Sequence, residues 1–90
     1  MRSAFYNLIN FINMTNVHDV YWGAAKKILQ NIYQIPQSTI TEVADMCYVS
    51  TATISRLCRQ LNYESFADFK TDVTLNLTFF NPDSTRFLFD

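Results

Sequence analysis

Apolar residues recur at helical spacing in successive blocks along the chain. In the first block Phe5, Leu8, Ile9, Phe11 and Ile12 fall on one side, while Asn7, Asn10 and Asn13, three apart, gather on the other. This pattern predicts an amphipathic helix over residues 3–14, unusually apolar for its length. Two accounts of it stay open: a core helix of the monomer, or a helix that a second subunit covers. A chain of 90 residues buries only about 60–65% of its unfolded surface and cannot hide every aromatic.

A break at Thr15-Asn16-Val17-His18 follows, with Asn16 or His18 as candidate N-caps and Asp19 suited to the positive end of a helix dipole. Tyr21, Ala24, Ala25, Ile28, Leu29 and Ile32 then keep the helical period, which predicts a helix over 19–34 with Lys26, Lys27, Gln30 and Asn31 on its wet side. Gly23 costs roughly 1 kcal/mol inside a helix and suits a place where another helix passes close. Ile35-Pro36-Gln37 ends the element, because the residue before proline disfavours the α region.

Thr39-Ile40-Thr41-Glu42 has the form of a capping box and opens a short helix over 40–47, with Ile40, Val43, Ala44 and Cys47 on one face. Tyr48-Val49 is a tight break. Ser50 is the N-cap of a helix over 51–61, whose buried stripe is Ile54, Leu57, Cys58 and Leu61, and Asn62 suits a left-handed C-cap. Ser65 caps a last helix over 66–80, in which Phe66, Phe69, Val73, Leu77 and Phe80 recur at spacings of three and four. Pro82 stops it, and residues 81–90 read as a tail or a linker to a missing domain. The expected fold is all-α, a compact bundle of about five helices in one domain over 1–80.

Composition supports this reading. Half the chain is apolar (49%), aromatics reach 16%, and one Gly with two Pro gives too few turn formers for an all-β chain. The formal charge of −1 excludes a domain that holds nucleic acid by bulk charge, though not one with a local basic face. Cys47 and Cys58, with a lone His18 far off, support neither a zinc site nor a disulfide framework. Asn7, Asn10 and Asn13 break the N-terminal apolar run as a signal peptide, and no stretch of about 18 apolar residues spans a bilayer. The expectation is a soluble, cytoplasmic protein.

The functional signal lies in the two short helices after Ser38. A pair joined by a tight turn of three or four residues and packed on a neighbour is a helix-turn-helix. A small residue, Ala44, sits where the second helix crosses the first, Val43 and Cys47 flank it, and Ile54 and Leu57 pin the second helix down. Tyr48 stands where the turn usually takes Gly, which implies a left-handed strain of about 1–2 kcal/mol or an altered turn. The outward side of the second helix carries Ser50, Thr51, Thr53, Ser55, Arg56, Arg59 and Gln60, and no Asp or Glu lies between Ser50 and Tyr63. Short hydroxyl residues and free amides at the helix start suit phosphates. Arg56 can reach guanine O6 and N7, while Arg59 suits phosphate or a flanking base. Double-stranded DNA is the expected partner.

These residues resemble a family. Ser38 to Asp45, Val49 to Leu61 and Tyr63 to Lys70, together with their surroundings over about 17–73, are similar to the N-terminal domain of RpiR-type bacterial transcription regulators. The Arg56-x-x-Arg59 run around Cys58, joined to the Phe66-x-x-Phe69-Lys70 run, carries most of the likeness. Departures are Tyr48 and Asn62 where Gly is usual, Leu57 for Phe, and Ser65 where Gly is common. The resemblance implies a winged or extended helix-turn-helix in a cytoplasmic repressor or activator of sugar and sugar-phosphate genes. It also implies a phosphosugar effector, bound only by a sugar-isomerase-type domain that residues 1–90 do not include.

Other residues have plainer accounts beside functional ones. Cys47 and Cys58 suit core packing, His18 a cap or surface position, and Trp22 with Tyr21 either core or a dimer surface. Lys26, Lys27 and Lys70 suit a solvated face or added phosphate contacts. No nucleophile–base pair, carboxylate dyad or metal spacing supports an enzyme, and no cofactor is expected. A homodimer is expected, because two recognition helices about 34 Å apart read a palindrome. The rival to DNA binding is a helical dimerisation or protein-interaction module with little DNA affinity.

Overall fold

Local capping chemistry sets most of the element boundaries in the computed structural model, which describes residues 3–80, the side chain of Phe80 excepted. The first helix, α1 (Ala4–Met14), begins where the Ser3 hydroxyl accepts from the Tyr6 amide at 3.1 Å. The second, α2 (Val20–Gln30), is capped by Asp19, whose Oδ1 accepts from the Tyr21 and Trp22 amides at 3.0 and 3.1 Å. Neither Asn16 nor His18 caps it. A carboxylate there satisfies two orphan amides and faces the positive helix end in one step.

The helix expected over 19–34 divides in two. Asn31 leaves helical geometry at φ −121°, ψ 31°, and its Nδ2 donates back to the Lys27 carbonyl at 2.9 Å. The chain then tightens into a 3-10 helix over Ile32–Gln37 that contains Pro36. An α turn through Pro36 would set the ring against the Ile32 carbonyl. The tighter winding lets the chain pass the proline with Ile32 and Ile35 still buried.

Three further helices follow: α3 (Ile40–Cys47), α4 (Thr51–Gln60) and α5 (Phe66–Phe80). The capping box forms as expected, with Glu42 N–H to Thr39 Oγ1 at 3.1 Å and Thr39 N–H to Glu42 Oε1 at 2.9 Å. Ser50 Oγ accepts from the Thr53 amide at 3.1 Å, and Ser65 Oγ from the Asp68 amide at 3.1 Å. No strand occurs among the described residues. The tail expected over 81–90, with Pro82 as its stop signal, lies outside them.

Among the described residues the five α-helices and the 3-10 segment supply one core. Leu8 of α1, Ile28 of α2, Ile35, Ile54 and Leu57 of α4, and Phe69 of α5 are fully buried. At about 1.5–3 kcal/mol for each such side chain, this burial is the main stabilising contribution. The monomer itself therefore covers the inner face of α1, while Tyr6 and Ile9 stay outside. The asparagine stripe is not wholly wet: Asn7 is half-buried and donates to the Tyr63 hydroxyl at 3.2 Å.

Two polar residues enter the core from α5. Asp72 accepts from the Tyr63 hydroxyl, and Asn76 Oδ1 accepts from the Ala4 amide at 2.6 Å. Among the described residues no buried side-chain nitrogen or oxygen lacks a hydrogen-bond partner. Trp22 has a comparable role, its Nε1 donating to the Ile12 carbonyl at 3.2 Å while His18 stacks on its ring at 3.9 Å. Lys26 Nζ lies 4.7 Å from the same ring, so Trp22 ties the end of α1 to α2. No helix passes close to Gly23, since nothing lies within 4 Å of a Cβ built there.

Candidate nucleic-acid interface

The helix pair α3–α4 is built on burial at the positions the spacing singled out. Val43 and Ala44 are buried on α3, Ile54, Leu57 and Cys58 on α4, and Cys47 is half-buried with its Sγ donating to the Ala24 carbonyl at 3.7 Å. That contact seats the end of α3 on α2. Burial pushes the Cys58 thiol up to about 12. Cys47 is also raised by burial, against a smaller lowering from the Lys27 ammonium. Both thiols are therefore protonated core groups rather than reactive thiolates.

Both helices of the pair stop in the same way. At the end of α3 the Val49 amide donates to the Ala44 carbonyl at 3.0 Å and the Tyr48 amide to the Asp45 carbonyl at 3.2 Å. At the end of α4 the Tyr63 amide donates to Cys58 at 2.9 Å and the Asn62 amide to Arg59 at 3.0 Å. Each is a Schellman pair closed by a left-handed residue. Tyr48 holds φ 58° and Asn62 φ 73°. Asparagine adopts this region readily, whereas for Tyr48 it costs about 1–2 kcal/mol. The turn keeps its ordinary geometry and the tyrosine is strained to fit it.

With Ile54, Leu57 and Cys58 inward, the helical period sets Ala52, Arg56 and Arg59 along the ridge of α4 farthest from the core. All three are exposed, as is Gln60 beside them. Ser50 and Thr51 are exposed at the helix start, although the Ser50 hydroxyl is engaged with the Thr53 amide and lies 3.0 Å from Thr53 Oγ1. Thr53 and Ser55 are half-buried and flank the ridge on opposite sides. Of the seven candidate residues, Ser50, Thr51, Arg56, Arg59 and Gln60 are exposed, with the two arginines at the crest, and Thr53 and Ser55 lie at the margins. Ala52 joins them without having been singled out, because an exposed alanine carries no signal until its neighbours on the helix are placed.

The three lysines proposed as extra phosphate contacts have different surroundings. Lys70 Nζ donates to the Ser38 carbonyl at 2.9 Å and braces α5 against the end of the 3-10 segment. Lys26 lies over Trp22, and the Lys27 ammonium lowers the Cys47 thiol against the larger effect of burial.

A buried two-helix unit with a capped, outward-facing second helix that is basic and lacks acidic residues defines a helix-turn-helix domain of the DNA-binding class. The comparison with family models agrees: the helix-turn-helix domain of the rpiR family matches residues 24–78, more than half of the chain. The chain belongs to that family, whose members are DNA-binding regulator domains rather than enzymes. The comparisons with curated proteins and with solved structures find no match. No helix among the described residues is long and apolar enough to cross a membrane.

Proposed function

We propose that this domain binds duplex DNA sequence-specifically, with α4 seated in the major groove, as part of a bacterial transcription regulator of sugar or sugar-phosphate metabolism. The observation that carries the reading is the exposed Ala52–Arg56–Arg59 ridge on a helix held rigidly from behind by Ile54, Leu57 and Cys58. A helix presented in this way enters the groove with its first turns nearest the base edges.

The residues then divide by what they can reach. The exposed hydroxyl of Thr51 and the first amides of α4 meet phosphate oxygens, and Ser50 holds those amides in place through its cap. Arg56 offers two parallel N–H groups to guanine O6 and N7, and the Ala52 methyl suits a thymine methyl. Arg59 and Gln60, further along, reach phosphate or a flanking base, while Thr53 and Ser55 line the sides. The sugar-gene part of the reading is supported by family membership alone, and any phosphosugar effector would act through a domain outside residues 1–90. The protein acts in the cytoplasm as a homodimer.

Binding of a duplex selected from a random pool, titrated over a salt series, tests the reading. Arg56→Ala should cost about 1–3 kcal/mol and relax preference at one base pair. Arg59→Ala should weaken binding to all sequences alike and lower the salt slope by about one. A domain that retards no duplex at low salt would be an interaction module instead.

A further inference from the structure

We propose that Tyr48 is a DNA-backbone contact particular to this chain, its phenol hydroxyl donating to a phosphate of the strand bordering the start of α4. The inference rests on the seating of α4 proposed above and adds a residue outside that helix.

Tyr48 is a strained residue with no compensating contact inside the fold. Tyr48 holds φ 58°, ψ 40°, a conformation that suits glycine and disfavours any Cβ. Its side chain is 90% exposed, and no hydrogen bond or ring contact engages it among the described residues. Backbone strain kept without a compensating contact in the free domain points to a use outside it.

Position says what that use is. Tyr48 ends α3 and Ser50 caps α4, so the ring stands beside the helix start whose free amides favour an anion. Cys47, its neighbour, rests on α2 at Ala24, so the end of α3 is held in place beneath the turn. Asp45 is exposed on the last turn of α3. A phenol hydroxyl donates to phosphate, and tyrosine is among the side chains that make such backbone contacts.

The test uses the whole chain, with the wild type, Tyr48→Phe, Tyr48→Gly and Arg56→Ala titrated against a selected duplex and a scrambled one at several salt concentrations. Tyr48→Phe keeps the ring and the strain and should lose about tenfold in affinity on both duplexes. Its salt slope should match the wild type, since no charge is removed. Tyr48→Gly should lose at least as much while melting at a higher temperature, which separates the contact from folding. Wild-type affinity in Tyr48→Phe overturns the proposal, as does a loss confined to one sequence or to the glycine variant. If Arg56→Ala is weakened and Tyr48→Phe is not, the Tyr48 assignment fails alone. If the wild type binds neither duplex, the DNA reading fails and the assignment fails with it.

Discussion

Gly23 lies inside α2, and among the described residues nothing beyond its own stretch of helix comes within 4 Å of a Cβ built on it. Alanine there removes backbone entropy from the unfolded chain and meets no clash, so Gly23→Ala should stabilise the domain by about 0.5–1 kcal/mol. Calorimetry should show melting raised by a few degrees, at roughly 4–8 °C per kcal/mol for a domain of this size. Cys58 gives a pH dependence with a definite sign. Its thiol is pushed from 9.0 to about 12 in the folded state, so the native protein holds that proton more tightly than the unfolded chain does. The contribution is fully present below pH 9 and is lost as pH rises from 9 towards 12, at about 1.4 kcal/mol per pH unit. Urea unfolding at pH 8 and pH 10 should fall more steeply for the wild type than for Cys58→Ala. At this scale the sequence was legible wherever chemistry is local. The Thr39–Glu42 pair, Ser50, Ser65 and Asn62 all occupy their expected capping roles, whereas Asp19 took the cap from Asn16 and His18 because adjacent polar residues compete within one turn.

At the scale of elements, the two helices of the helix-turn-helix match their expected ranges closely and the one before them does not. Apolar spacing continued to Ile32 without a signal that Asn31 would bond backwards and release the helix. Period alone cannot distinguish an α-helix from a 3-10 continuation that buries the same isoleucines. The polar bonds holding α1 to α5 were hidden for another reason: Asp72 and Asn76 lie among the apolar positions of α5, and only the arrival of Tyr63 and the Ala4 amide gives them partners. Tyr63→Phe would take the phenol from both Asp72 and Asn7. The resulting buried, less satisfied carboxylate should cost about 1–3 kcal/mol. Denaturant unfolding should show a lower midpoint with an unchanged slope, since the surface exposed on unfolding stays the same.

At the scale of the whole molecule, one short helix offers too few contacts for specific affinity, and a domain of charge −1 gains little from bulk attraction. Two copies related by a two-fold axis double the base contacts and add the spacing of the half-sites as a further constraint. The monomer leaves surface for this: Tyr6 and Ile9 on α1, and Leu75 and Phe79 on α5, stay exposed although Leu8 and Phe69 of the same helices are fully buried. A palindromic duplex with half-sites about 34 Å apart should therefore bind two copies in one steep step, and a single half-site should bind at least about 100-fold more weakly. Phe79→Glu places a charge on the exposed flank of α5, far in sequence from Arg56. Its far-UV spectrum and melting should stay close to wild type while sedimentation shifts to monomer and the palindrome loses its advantage over the half-site. A variant that stays dimeric would move the contact away from α5, and a wild type that sediments only as monomer and binds the two half-sites independently would remove the dimer from this domain.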